Sequence, residues 1–144
     1  MLDRRIEGFL STHERVEPRS CRETARHTLL GLGIPMDSDL AELYMRYQGP
    51  FVSPQRFPEL LDIEYPTAEV VEQTAYVRAE YGVPEDFVCF TTTEGEGMYL
   101  YQISTGGVYD IGIDGVSELG SSSGTLAARW ESVNDFLLEF FALR

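Results

Sequence analysis

Apolar residues are spaced three or four positions apart through the first third of the chain, and this spacing predicts helices. Ile6, Phe9, Leu10 and Val16 form one stripe that Pro18 breaks, so residues 3–16 read as a helix. Residues 20–31 read as a second, with Ser20 as N-cap, Glu23 three positions on as its capping-box partner, and Gly31 and Gly33 ending it. The clearest helical signal is IPMDSDLAELYMRYQGPF. Asp37 or Ser38 caps it, Leu40, Leu43, Tyr44 and Tyr47 recur at helical spacing, and Gly49-Pro50 stops it. A passage over 51–65 contains Pro54 and Pro58 and then LLDIEY, which reads as a short strand. Thr67 opens another helix, with Val70, Thr74, Val77 and Tyr81 on its inner face and Gly82 and Pro84 closing it.

Between Asp86 and Val116 the period shortens to two. Three runs rich in β-branched and aromatic residues, 87–92, 98–103 and 108–113, read as strands. Gly95-Glu96-Gly97, Gly106-Gly107 and Asp114-Gly115 supply the turn residues between and after them. In the middle strand Met98 and Leu100 point one way, and Tyr99, Tyr101 and Ile103 the other. One face therefore needs an apolar cover, while the tyrosine face either meets a partner or lies under a helix. ELGSSSG is a polar loop, residues 126–130 are a last short strand or a lead-in, and Ser132 to Asp135 repeats the capping pattern. Phe136, Leu137, Phe140 and Phe141 then pack a closing helix on the sheet, with Trp130 as its anchor. The order of elements predicts an α+β fold in a single domain over 1–144. It has an antiparallel β-sheet of about four to six strands, flanked by N-terminal helices, a middle helix and a C-terminal helix.

Composition narrows the classes. Hydrophobic residues at 43% suffice for a core, and no run approaches the ~18 apolar residues of a membrane span. Charges at positions 3, 4, 5 and 7 argue against a signal peptide. Two cysteines, Cys21 and Cys89, do not make a disulfide framework, so a reduced, cytoplasmic protein is expected. The net charge of −13 is unevenly placed. Residues 1–56 balance eight acids with eight arginines, whereas residues 57–144 carry sixteen acids against Arg78, Arg129 and Arg144. Such a surface repels nucleic acid and favours rapid encounter with a basic protein.

Chemistry-bearing residues are sparse. Cys21 and His27 stand six apart, on different faces of a helix, and the His and Cys spacing fits no zinc site. Glu94 and Glu96 form the best carboxylate pair, but between glycines at a solvated turn they suit partner contact better than acid–base work. No catalytic residue, metal or cofactor is assigned. Tyr99 and Tyr101 offer rigid apolar area with a polar end, which suits an interface. Charge and alternation together single out Glu94, Glu96, Tyr99, Tyr101, Asp110 and Asp114 as the candidate partner-binding set.

Several segments, in order, resemble a known family. IPMDSDLAELYMRYQGPF is similar to the polar cap, amphipathic helix and glycine turn of the SUKH superfamily, which includes the Smi/Knr-type regulators. GMYLYQISTGGVYDI resembles its central hairpin, and WESVNDFLLEFF its closing helix. Gln48-Gly49-Pro50 stands where the family often has Asn-Gly-Gly. The resemblance implies a non-enzymatic domain. In bacteria it implies an immunity protein that binds a cognate, basic toxin domain and neutralises it by occlusion; the alternative it allows is a regulatory scaffold. It does not fix oligomeric state or contact residues.

Overall fold

The structure is a computed structural model that describes residues 1–93, 97–119 and 126–144. The helical spacing of the N-terminal third resolves into α1 (Arg4–Thr12), α2 (Arg22–Leu32) and α3 (Asp39–Arg46). The Asp3 carboxylate caps α1 by accepting the Arg5 N–H, and the Ser38 hydroxyl caps α3 by accepting the Ala41 N–H. At α2 the expected capping box is absent: Cys21 is the N-cap, with no side-chain bond, and the Ser20 hydroxyl donates to Gln48 instead. Gly33 ends α2 at φ 80°, a left-handed conformation that glycine adopts without strain.

Between α1 and α2, where helix was expected to run to residue 16, the chain extends into β1 (Glu17–Pro18). It pairs antiparallel with β2 (Tyr47–Gln48), which leaves the end of α3. The middle helix, α4, spans Glu69–Tyr81 and ends on left-handed Gly82. The strands β3 (Phe87–Cys89), β4 (Gly97–Gln102) and β5 (Val108–Gly112) form an antiparallel sheet in the order β3-β4-β5. A 3₁₀ helix, Ile113–Glu118, follows, and α5 (Val133–Phe140) closes the fold under a Ser132 cap.

The predicted single sheet of four to six strands is therefore corrected to two small antiparallel sheets, of two and three strands. The proline-rich passage and the segment before α5 contribute isolated bridges only, Phe51 to Leu60, Leu60 to Thr91 and Val108 to Trp130. Pro54 and Pro58 lack the N–H groups a ladder needs. LLDIEY fails as a strand for a second reason: its Asp62 turns inward to an arginine.

Alternation along β4 divides the interior. Met98 and Leu100 join Val77, Phe87, Cys89, Ile111 and Val116 in a core between the sheet and α4. Tyr101 joins Val88, Phe90 and Val108 in the larger core shared with α1, α2, α3 and α5, and Tyr99 packs against it. Each side of the sheet is thus covered. Trp130 and Phe136, with ring centroids 4.9 Å apart, tie α5 to the tyrosine side as the capped aromatic helix predicts.

Candidate partner-binding surface

The one buried ion pair in the described residues is structural. Arg19 and Asp62 have side chains 1% and 0% exposed, and two guanidinium nitrogens reach the carboxylate at 2.7 and 2.9 Å. The Asp62 carboxylate also accepts N–H groups from Gly49, Glu64 and Tyr65, and Arg19 donates to the carbonyls of Tyr44 and Tyr47. Burial alone would push the Asp62 carboxyl up, but these hydrogen bonds outweigh it and hold the group below the usual carboxylate range. The pair collects the end carbonyls of α3 and ties the 51–65 passage to the helices. With every lone pair occupied, it has no capacity left for chemistry.

The nucleophile and metal readings gain nothing from the fold. Cys21 contacts Thr24, whose hydroxyl lowers its thiol, and the His13 Nδ1 accepts the Arg15 N–H. Burial pushes the Cys89 thiol up to about 12, leaving it an inert core group. Among the described residues, no cluster of His, Cys, Asp and Glu has an arrangement that holds a metal ion.

The six candidate contact residues separate. Glu94 and Glu96 lie outside the described residues. Tyr101 is 2% exposed, with its ring in the main core, and burial pushes its phenol up. Tyr99 is half-buried among Phe57, Trp130 and Phe136. Asp110 is paired with Arg129, whose guanidinium also lies 4.4 Å over the Trp130 ring. Asp114 is exposed in the 3₁₀ helix with no ion pair among the described residues. Of the set, Tyr99 and Asp110 come together, along a shallow cleft of about 210 Å³ that Arg56 also lines. Arg56, and Arg129 paired to Asp110 beside it, make the cleft electrically mixed.

Sequence reasoning overlooked a second cleft, of about 300 Å³, where α3 and α5 both begin. Asp37, Asp39 and Glu131 line it above Tyr101, Ile103 and Val133. Asp39 is engaged by the Met1 amino group and by Asn134, while Asp37 and Glu131 are exposed and form no ion pair among the described residues. The legible signal was an acid directly before each serine cap, Asp37-Ser38 and Glu131-Ser132. Carboxylates there also complement the positive ends of two helices, about 0.3–1 kcal/mol each. The cleft therefore has a reason to be acidic within the fold itself.

No helix is long and apolar enough to cross a membrane among the described residues. The sequence model of the SMI1/KNR4 family (SUKH-1) matches residues 31–139, most of the chain. No match was found among curated proteins or among solved structures. The matched span begins inside α2 and ends in α5, so it contains α3, α4, the three-stranded sheet and the core between that sheet and α4, while α1 and most of α2 lie before it.

Proposed function

This chain belongs to the SMI1/KNR4 family (SUKH-1), and on that premise we propose that it is an immunity protein that neutralises a basic toxin by covering it. The family is linked in general to immunity proteins of polymorphic toxin systems, and its domains are generally non-catalytic. The observation that carries the reading beyond the family is the charge asymmetry: sixteen acids against three arginines in residues 57–144. In the described part of that segment, Arg78 points inward to two carbonyls and Arg129 and Arg144 pair with acids, so most carboxylates there have no cation partner. Such a surface offers pairing to the Arg and Lys of a partner and raises the rate of encounter.

Neutralisation by this route needs only occlusion of the toxin's substrate groove. No bond is made or broken by the immunity protein. Reading the neighbouring gene and co-expression test it: a toxin domain found there is induced with and without the chain, and a neighbourhood that encodes no toxin counts against the reading. Growth restored by this chain, and not by an unrelated acidic protein of similar size, is the expected result. Equal killing in both cultures overturns the reading and favours the regulatory scaffold.

A further inference from the structure

The helix α4 covers the sheet with one side only. Its inner residues Val70, Thr74 and Val77 are buried, whereas its outer side carries Val71 at 37% exposure and Tyr76 at 50%. Two adjacent rows run along that side at four-residue spacing. One is Glu72, Tyr76, Glu80, an aromatic ring between two carboxylates; the other is Val71, Ala75, Ala79, small and apolar. All six are exposed, and the rows extend for about 12 Å, eight residues at the helical rise.

Two features of this face cost the fold something. Glu80 lies in the last turn of α4, where the helix dipole favours a cation and penalises an acid. Tyr76 exposes a large ring whose one aromatic neighbour is Tyr81, 5.9 Å away. The helix's single cation, Arg78, forms no ion pair with these acids among the described residues; its guanidinium reaches the carbonyls of Glu85 and Phe87. No cation of the described residues pairs with Glu69, Glu72 or Glu80.

We propose that the outer face of α4, centred on Tyr76 between Glu72 and Glu80 and flanked by Val71 and Ala75, docks a cationic segment of the toxin. The inference rests on the immunity reading above and deepens it by naming the surface. Charge complementarity selects this occupant. A second copy meeting this face with its own α4 would set carboxylate against carboxylate, and both an anionic membrane and nucleic acid are repelled. The tyrosine fills the apolar centre of the contact, and the two glutamates pair at its rim.

The test uses the full chain and, purified, the toxin domain that the co-expression experiment identifies. Tyr76→Ala is expected to weaken the complex by about tenfold or more, as buried interface tyrosines do. Glu72→Arg with Glu80→Arg is expected to weaken it by about 30-fold, an effect that shrinks in about 0.5 M salt. Glu72→Gln with Glu80→Gln gives a smaller loss in the same direction and covers the case in which reversal disturbs folding. Circular dichroism stays unchanged, and Asp37→Arg, in the other acidic cleft, binds like wild type. Wild-type affinity in all α4 variants overturns this assignment while leaving the immunity reading intact. Absence of any complex with the wild-type chain overturns both. Self-association of the free chain that Tyr76→Ala abolishes makes a second copy the occupant and also overturns the assignment.

Discussion

Replacing Asp62 with asparagine should be among the most damaging single changes in this domain, although it alters one atom. Oδ1 of Asp62 accepts from Arg19 at 2.7 Å and Gly49 at 2.9 Å; Oδ2 accepts from Arg19 at 2.9 Å, Glu64 at 3.0 Å and Tyr65 at 2.9 Å. Either orientation of the asparagine amide turns an N–H₂ toward groups that are themselves donors. Two or three hydrogen bonds are lost, and the Arg19 charge is left buried without a counter-charge. Unpairing a buried ion of this kind costs about 3–5 kcal/mol. That is a large part of the roughly 5–15 kcal/mol that holds a single domain together. For a chain of this length it corresponds to a fall in Tm of about 10–15 °C. Urea and thermal unfolding of Asp62→Asn measure it. The double variant Arg19→Met with Asp62→Asn removes the unpaired charge while keeping an amide beside the Gly49, Glu64 and Tyr65 N–H groups, and should recover part of the loss. A cost below about 1 kcal/mol for Asp62→Asn, or a double variant no better than the single, would refute an electrostatic role for the pair.

The same pair sets an acid limit. Because the folded Asp62 carboxyl binds its proton less readily than the unfolded one, its stabilisation is fully present above the ordinary carboxylate range and is lost as pH falls through and below it. Unfolding midpoints measured from about pH 6 down to pH 3 should fall more steeply for the wild type than for Arg19→Met with Asp62→Asn, which has no carboxyl there to titrate. Ser132→Ala removes the acceptor of the Asp135 N–H at the start of α5 and should cost about 1 kcal/mol in urea denaturation. Gly33→Ala meets only ordinary contact with Ile103, at 3.7 Å, so its cost is the left-handed backbone, about 1 kcal/mol by the same measurement. A thiol reagent at about pH 8 should label exposed Cys21 in the native protein and reach Cys89 only after unfolding, as counted by mass spectrometry.

Local signals in the chain were readable wherever the physics is local. Ser132 caps α5 as expected, Ser38 and not its alternative Asp37 caps α3, and Gly82 ends α4, because these features depend on neighbours a few residues away. The alternation of Met98, Leu100 and Tyr101 placed each on its correct side of the sheet for the same reason. What the chain concealed depends on distant partners. LLDIEY has the composition of a strand, yet Asp62 is recruited by Arg19, forty-three positions earlier, and no spacing rule reveals that. Arg129 likewise takes Asp110 from the candidate surface across nineteen positions. The burial of Tyr101 could not be told from exposure by alternation alone, since a sheet face looks the same in sequence whether a helix or a partner covers it. The outer face of α4 carries no signal of its own in the chain, because Val71 and Tyr76 read there like any scattered surface apolar residues.

If opposite charge brings this chain to its toxin, the rate of their encounter carries the signature. Stopped-flow mixing of the chain with its neighbouring toxin domain, across a salt series, should give an association rate near ~10⁸ M⁻¹s⁻¹ at low ionic strength that falls steeply as salt rises, while dissociation changes little. An association rate near ~10⁵ M⁻¹s⁻¹ that is indifferent to salt would contradict an encounter driven by charge.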